Sequence, residues 1–195
     1  MSDIRRCPWA GASLAGDTTD TLMRDYHDTQ WGKPCHGERE LFEMLILEGA
    51  QAGLSWSCIL HKRENYRAAF DNWDVEKIAS YDENKIAELL QNPGIVRNRL
   101  KVGAAVTNAQ AVLQLPNGLD KFLWDYVDTP PGTGGKPIIN RWERQEEMSA
   151  TSPLSDEISK DMKKLGFKFV GSTIVYSYLQ SVGIINDHMA WCDFR

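Results

Sequence analysis

Apolar residues recur three and four positions apart through most of this chain, a spacing that confines it to helices packed on a common core. The pattern runs through 38–52, 62–70, 83–91, 96–115, 119–127, 155–165 and 170–182, while strand signals are few and short. The expected fold class is all-α. Ser155 reads as a helix N-cap, and Gly166 as a stop after Lys163-Lys164-Leu165. Proline and glycine crowd residues 129–137, which predicts an exposed loop, with irregular chain continuing to Ser152-Pro153. At 195 residues the chain suits a single helical domain spanning 1–195, its two lobes sharing one cleft.

Several function classes drop out on composition. No stretch reaches the roughly 18 apolar residues of a membrane span, and Met-Ser-Asp-Ile-Arg-Arg lacks the apolar core of a secretory signal. The expectation is a cytoplasmic protein, in which four cysteines are thiols or metal ligands rather than disulfides. A net charge of -5 excludes a grossly basic nucleic-acid binder. Two local basic clusters stand out nonetheless, Arg97-Arg99-Lys101 and Lys160-Lys163-Lys164-Lys168. Each fits either a grip on a short piece of duplex or an ordinary solvated helix face. The first follows Asn92-Pro93-Gly94-Ile95, where Pro93 should end one helix and Gly94 permits a tight turn. A turn that aims backbone N–H groups outward, followed by cations at Arg97, Arg99 and Lys101, suits phosphate. The same residues also describe a plain αα-hairpin. They resemble the helix-hairpin-helix element of base-excision glycosylases.

The segment 41–52 carries the most chemistry. At about 100° per residue, Leu41, Leu45, Glu48 and Ala52 fall within a sector roughly 60° wide, whereas Glu40 and Glu43 point away from it as solvated charges should. An ionised carboxylate among apolar neighbours costs several kcal/mol unless partnered. Two readings stay open: an internal donor satisfies Glu48, or Glu48 lines a pocket awaiting a cationic or hydrogen-bond-donating ligand. In Gln51-Ala52-Gly53-Leu54-Ser55-Trp56, Gly53 should break the helix and expose Leu54 and Trp56. An apolar wedge on a tight turn, beside an aromatic and a buried acid, is what extrusion of a base requires.

Cys7 and His27 lie near one end of the chain, and His188 and Cys192, spaced four apart, near the other. Two thiolates and two imidazoles complete a tetrahedral zinc set with no open position. Such an ion would join two segments that otherwise fray, and would be structural. Buried free cysteines with unrelated histidines give the same spacing. Cys35 and Cys58 have no histidine suitably placed, and His36 and His61 read as surface residues.

These pieces together resemble the 3-methyladenine DNA glycosylase I family. The likeness runs nearly end to end, through Tyr26-His27-Asp28 to Trp31-Gly32, Leu41-Phe42-Glu43-Met44, Leu47-Glu48-Gly49 to Trp56, Lys62-Arg63-Glu64-Asn65-Tyr66-Arg67, Gly166-Phe167-Lys168-Phe169-Val170-Gly171 and Asn186-Asp187-His188. It implies a helix-hairpin-helix glycosylase fold and one structural Zn2+ on Cys7, His27, His188 and Cys192. It also implies a base pocket with Glu48 as the catalytic carboxylate beside Tyr26, Trp56, Trp31 and Trp9, and a wedge of Gln51, Gly53 and Leu54. Met23 stands where many relatives carry a tyrosine. The implied activity is hydrolysis of the N-glycosidic bond of 3-methyladenine in alkylated double-stranded DNA by a monomer, releasing the free base. A glycosylase–lyase would need a pocket lysine as nucleophile. A zinc-stabilised DNA-binding module without catalysis would leave Glu48 unexplained.

Overall fold

The structure, a computed structural model, describes residues 4–11, 21–130, 132 and 134–195. Residues 1–3 and 12–20, and residues 131 and 133 of the proline- and glycine-rich stretch, lie outside it. Its α-helices are α1 (Leu22–Thr29), α2 (Glu38–Gln51), α3 (Trp56–Ala69), α4 (Val75–Ala79), α5 (Glu83–Leu89), α6 (Arg99–Val112), α7 (Gly118–Trp124), α8 (Pro153–Lys164) and α9 (Ser172–Ser181). The fold is mostly helical but not wholly so. Strands β1 (Ile138–Ile139) and β2 (Ile185–Asn186) pair in parallel, Ile138 opposite Ile185 and Ile139 opposite Asn186. A two-residue strand carries too little periodicity to be read from sequence, and β1 falls inside the segment expected to be loop.

α2 is the hub. It is buried continuously from Leu41 to Ala50 and packs against α3, α6, α7 and α9. That all-round burial overturns the expectation for Glu43, which is not solvated: it is 3% exposed, and its carboxylate receives Arg63 Nε at 2.7 Å and Arg67 at 3.1 Å. A two-sided helix has no free face for a charge, so Glu43 is held by guanidinium groups from α3. Gly49 lets Phe169 approach: a methyl group there would stand 3.2 Å from the Phe169 Cβ. Phe169 itself has φ of 55°, and Asn108 pins the residue before it by accepting from the Lys168 N–H and donating to its carbonyl.

Helix starts follow local capping. α3 begins at Trp56, six residues before the apolar spacing suggests, because the Ser55 hydroxyl accepts from the Cys58 N–H. α8 is capped by Ser152, not Ser155, with Pro153 at its first position. Ser155 makes the reciprocal bond back to the Ser152 N–H. The two ends of the chain meet: Arg5 N–H donates to Asp193, whose own N–H donates to the Arg5 carbonyl at 3.0 Å.

Two glycines separate steric from entropic roles. Gly183 has φ of 72°, and a Cβ there would collide with the backbone of Lys33 and Pro34. Gly103 lies mid-helix in α6 with nothing within 4 Å. Gly183→Ala should destabilise by several kcal/mol through strain and displaced backbone. Gly103→Ala should stabilise by about 0.5–1 kcal/mol, a rise of roughly 2 °C in Tm at this size. Thermal denaturation reads both, and a Gly183→Ala melting like the parent would contradict the packing described.

Candidate base-binding cavity and Cys–His cluster

One cavity, about 270 Å³, is lined by Trp9, Met23, Tyr26, Trp31, Glu48, Gln51, Trp56, Met148, Ser177 and Gln180. That is the small end for ligand sites, suited to one compact planar molecule. All the residues expected around the base therefore share one wall system. Tyr26 and Met23 come from α1, Glu48 and Gln51 from α2, and Trp56 from the start of α3. Tyr26 and Trp56 rings lie 5.3 Å apart and Trp9 and Trp31 4.9 Å apart edge-to-face. Three wider hollows, about 440, 550 and 940 Å³, lie elsewhere. That of 550 Å³ surrounds the ion-paired Glu43 and that of 940 Å³ opens between α5 and α6, and neither is lined by a buried acid without a cation.

Glu48 is 4% exposed, and no ion pair reaches it among the described residues. The polar side chain nearest in effect is Ser181, whose hydroxyl donates to the Tyr178 carbonyl at 2.8 Å. Burial pushes the Glu48 carboxyl from 4.5 up to about 8, with Ser181 opposing the shift weakly. The acid is therefore mostly neutral at pH 7 in the empty cavity. Of the internal donors that the sequence left open for Glu48, no arginine or lysine pairs with it among the described residues, and the carboxyl stands at the wall of the cavity.

Just beyond α2, Gly53 has φ of 77°, a backbone shape that favours glycine. Gln51 closes this turn twice, its carbonyl accepting from the Leu54 N–H at 2.7 Å and its Nε2 donating to the Leu54 carbonyl at 2.6 Å. Leu54 is left 38% exposed at the apex, beside the cavity edge that Gln51 and Trp56 line.

The basic residues after Gly94 divide. Arg97 is exposed and Arg99 is exposed in an ion pair with Glu83. Lys101 does something else: its ammonium donates to the carbonyls of Ala50 and Ala52 at 2.8 and 2.6 Å. It caps the C-terminal end of α2, satisfying carbonyls that the Gly53 turn strands. In the turn itself the Asn92 side chain accepts from the Gly94 N–H, and Asn98 caps α6.

Behind the aromatic wall, Cys7, His27, His188 and Cys192 are all buried, with their ligand atoms within 4.8 Å of one another. Cys192 Sγ lies 3.6 Å from His27 Nε2 and 3.4 Å from His188 Nδ1, and Cys7 Sγ lies 3.7 Å from His188 Nδ1. A tetrahedral ion with metal–nitrogen and metal–sulfur bonds of about 2.0 and 2.3 Å spaces such ligands by roughly 3.5 Å, so the donor set fits. The outer ring nitrogens are occupied: His27 Nδ1 meets Asp28 at 2.8 Å and His188 Nε2 meets the Trp31 carbonyl at 3.0 Å. That fixes which nitrogen faces inward. His36 and His61 are exposed and take no part.

Residues the sequence reading passed over complete the cavity. Ser177 and Gln180 line it from α9, and Ser181, which does not, continues their i, i+3, i+4 polar stripe on a largely buried helix, a usable signal. Met148 comes from irregular chain, where no periodicity marks it.

Comparison with known proteins agrees with this geometry. The methyladenine glycosylase family model matches residues 16–195. DNA-3-methyladenine glycosylase 1 of Escherichia coli is 40% identical over 192 residues, covering 97% of this chain and 96% of that protein. A crystal structure of a 3-methyladenine DNA glycosylase I superposes with a TM-score of 0.87 at 43% identity, covering 97% of this chain and 98% of the other. The Staphylococcus aureus enzyme, solved to explain its recognition of 3-methyladenine, gives 0.84 at 37% identity, covering 91% and 93%. With its full length matched and its cavity formed by the residues that carry the likeness, this chain belongs to the methyladenine glycosylase family.

Proposed function

We propose that this protein removes 3-methyladenine from alkylated double-stranded DNA by hydrolysing the N-glycosidic bond of a base turned out of the duplex. The observation that carries the reading is Glu48, a buried carboxyl without a cation at the wall of a small aromatic cavity. Methylation at N3 leaves the base positively charged, so it departs as a neutral molecule and needs no strong general acid. The site's task is to recognise that charge. Tyr26 and Trp56 supply aromatic faces worth on the order of 1–2 kcal/mol each to a desolvated cation, and Glu48 accepts from the base edge. No lysine is among the described residues lining the cavity, which favours direct attack of water at the sugar carbon over a lysine adduct. Leu54 serves as the wedge filling the gap left by the base, and the α5–α6 turn acts as a helix-hairpin-helix phosphate grip through Arg97 and Arg99, Gly94 shaping the turn while its N–H is held by Asn92.

The Cys7–His27–His188–Cys192 set is suited to one structural zinc. Its four protein ligands leave no position for water, so the ion supplies cross-linking of the chain ends and no step of the reaction. Trp9 packs on His27 at 5.1 Å and Trp31 on His188 at 4.7 Å between ring centres. The cluster thereby holds two walls of the cavity.

Three outcomes test this. Glu48→Gln should abolish most release of free 3-methyladenine while raising Tm at pH 7. The sign follows from the raised folded value: the native acid binds a proton that the unfolded chain, near 4.5, has lost, so wild-type stability falls as pH rises from about 4.5 to 8. The variant escapes that fall, and its advantage should vanish toward pH 4.5. Wild-type kcat/KM should rise with pH to a plateau above about 8, because a cationic base is bound by the ionised form. Unchanged rates in Glu48→Gln would refute the assignment.

Elemental analysis should find one zinc per chain, lost in Cys192→Ser together with several degrees of Tm. A metal-free wild-type protein of undiminished stability would count against the cluster.

Arg97→Gln should weaken duplex binding and reduce its log–log salt slope by about one. Lys101→Gln should instead lower Tm with the slope unchanged, since its ammonium is engaged within the fold. Equal effects on the slope would show the division to be wrong.

A further inference from the structure

The cavity has a second acceptor whose direction is fixed from outside it. Asp187 has no exposed surface, and its carboxylate receives four hydrogen bonds: Asn140 Nδ2 and Trp142 Nε1 on Oδ1 at 2.7 Å each, and the Tyr176 hydroxyl and Gln180 Nε2 on Oδ2 at 2.6 Å each. A carboxylate has about four lone-pair positions, and four donors occupy them here. The consequence falls on Gln180. An amide can ordinarily turn over to suit its surroundings, but here reversal would set the Gln180 oxygen against the Asp187 carboxylate. The remaining Nε2 hydrogen has Met148 Sδ within 3.5 Å. Both donors of the amide are thus engaged by the protein, one of them by the cavity-lining Met148, while its carbonyl oxygen has no bonding partner among the described residues. What the cavity receives from Gln180 is an acceptor that cannot become a donor.

We infer that Gln180 is a specificity-determining residue, positioned by Asp187, whose carbonyl oxygen accepts a hydrogen bond from the exocyclic amine of an extruded adenine and opposes a purine bearing oxygen there. This rests on the glycosylase reading above and deepens it. Glu48 reads charge and, because it can carry a proton, can accept from one base edge or donate to another, so by itself it would admit any cationic methylpurine. A fixed acceptor beside it reads the sign of the base edge, because a site built to pair one polar group discriminates strongly against a partner of the wrong kind. Adenine presents an amine at its six-position and guanine a carbonyl. The three-methylated forms share the positive charge, so the edge is what separates them.

The test uses a methylated duplex containing both 3-methyladenine and 3-methylguanine, with the two free bases quantified from the same sample. Their ratio is independent of the fraction of protein folded, so a merely structural loss does not move it. Gln180→Met keeps the side chain's length and removes the acceptor. The preference for 3-methyladenine should then fall roughly fivefold to tenfold, the worth of one neutral hydrogen bond. Asp187→Asn frees the amide to turn, and the ratio should fall there too, now through faster relative release of 3-methylguanine. Release by the wild type with an unchanged ratio in both variants overturns the role of Gln180 while leaving the glycosylase reading intact. A wild type that frees neither base overturns both.

Discussion

Two carboxylates of α2 are buried five residues apart, and only one of them has a cation. Glu43 is held by Arg63 and Arg67, with Arg63 tied in turn to Gln30 at 2.6 Å. Glu48 has a hydroxyl group and a hollow. Burying a charge without a partner is among the most expensive things a fold can do, and the surrounding structure is arranged so that α2 stays helical there regardless. Its flanks are packed by four other helices, its last carbonyls are taken by Lys101, and the chain leaves it through the Gln51–Leu54 turn. The guanidinium groups stop at Glu43, on α2's other side from the cavity.

The walls around Glu48 are drawn from distant parts of the chain, and two buried polar centres hold them. The Cys–His cluster joins residues 7 and 27 to 188 and 192, with Trp9, Tyr26 and Trp31 adjoining its ligands in sequence or in space. Asp187, one residue before a cluster ligand, gathers Asn140 and Trp142 from the long irregular segment and Tyr176 and Gln180 from α9. A stretch of chain with little regular structure is thereby fixed against the cavity, and Met148 becomes part of its lining. Irregular segments reach rigidity through such polar anchors, since they have no ladder of backbone hydrogen bonds.

How far this was legible in sequence depends on the length scale of each signal. Glu48 announced itself because its position on an apolar stripe is a property of one helix. Glu43 was misread by the same method: helical angle separates two faces, but it does not reveal that both are buried. Cys7 and His27 carried only a weak spacing signal because their partners lie about 160 to 180 positions away. Lys101 looked like its cationic neighbours, and only tertiary structure shows its ammonium on the end of α2. β1 and the Asp187 anchors lay beyond reach for a related reason, since two paired residues and four scattered donors leave no period to detect. The likeness to a known family supplied Tyr26, Trp9 and Trp31, which periodicity alone would have assigned to core, whereas the Gly53 turn already marked Trp56.

On the function proposed, the raised proton affinity of Glu48 would let one cavity be both stable when empty and selective when filled. A permanently ionised carboxylate would burden the native state at every moment, and a permanently neutral one would give a cation little reason to stay. With a value near 8, the acid is mostly protonated in the empty site, so the fold bears only part of the desolvation cost. A cationic base shifts that balance by its own field and draws the proton off, converting a neutral wall into a counter-ion at the moment of binding. Ordinary adenine carries no charge and cannot do so; it meets a neutral acid, and the aromatic faces lose the cationic part of their attraction. Discrimination between damaged and undamaged base then lies in the coupling between ligand charge and protonation of Glu48, and that coupling requires the absence of any nearby arginine.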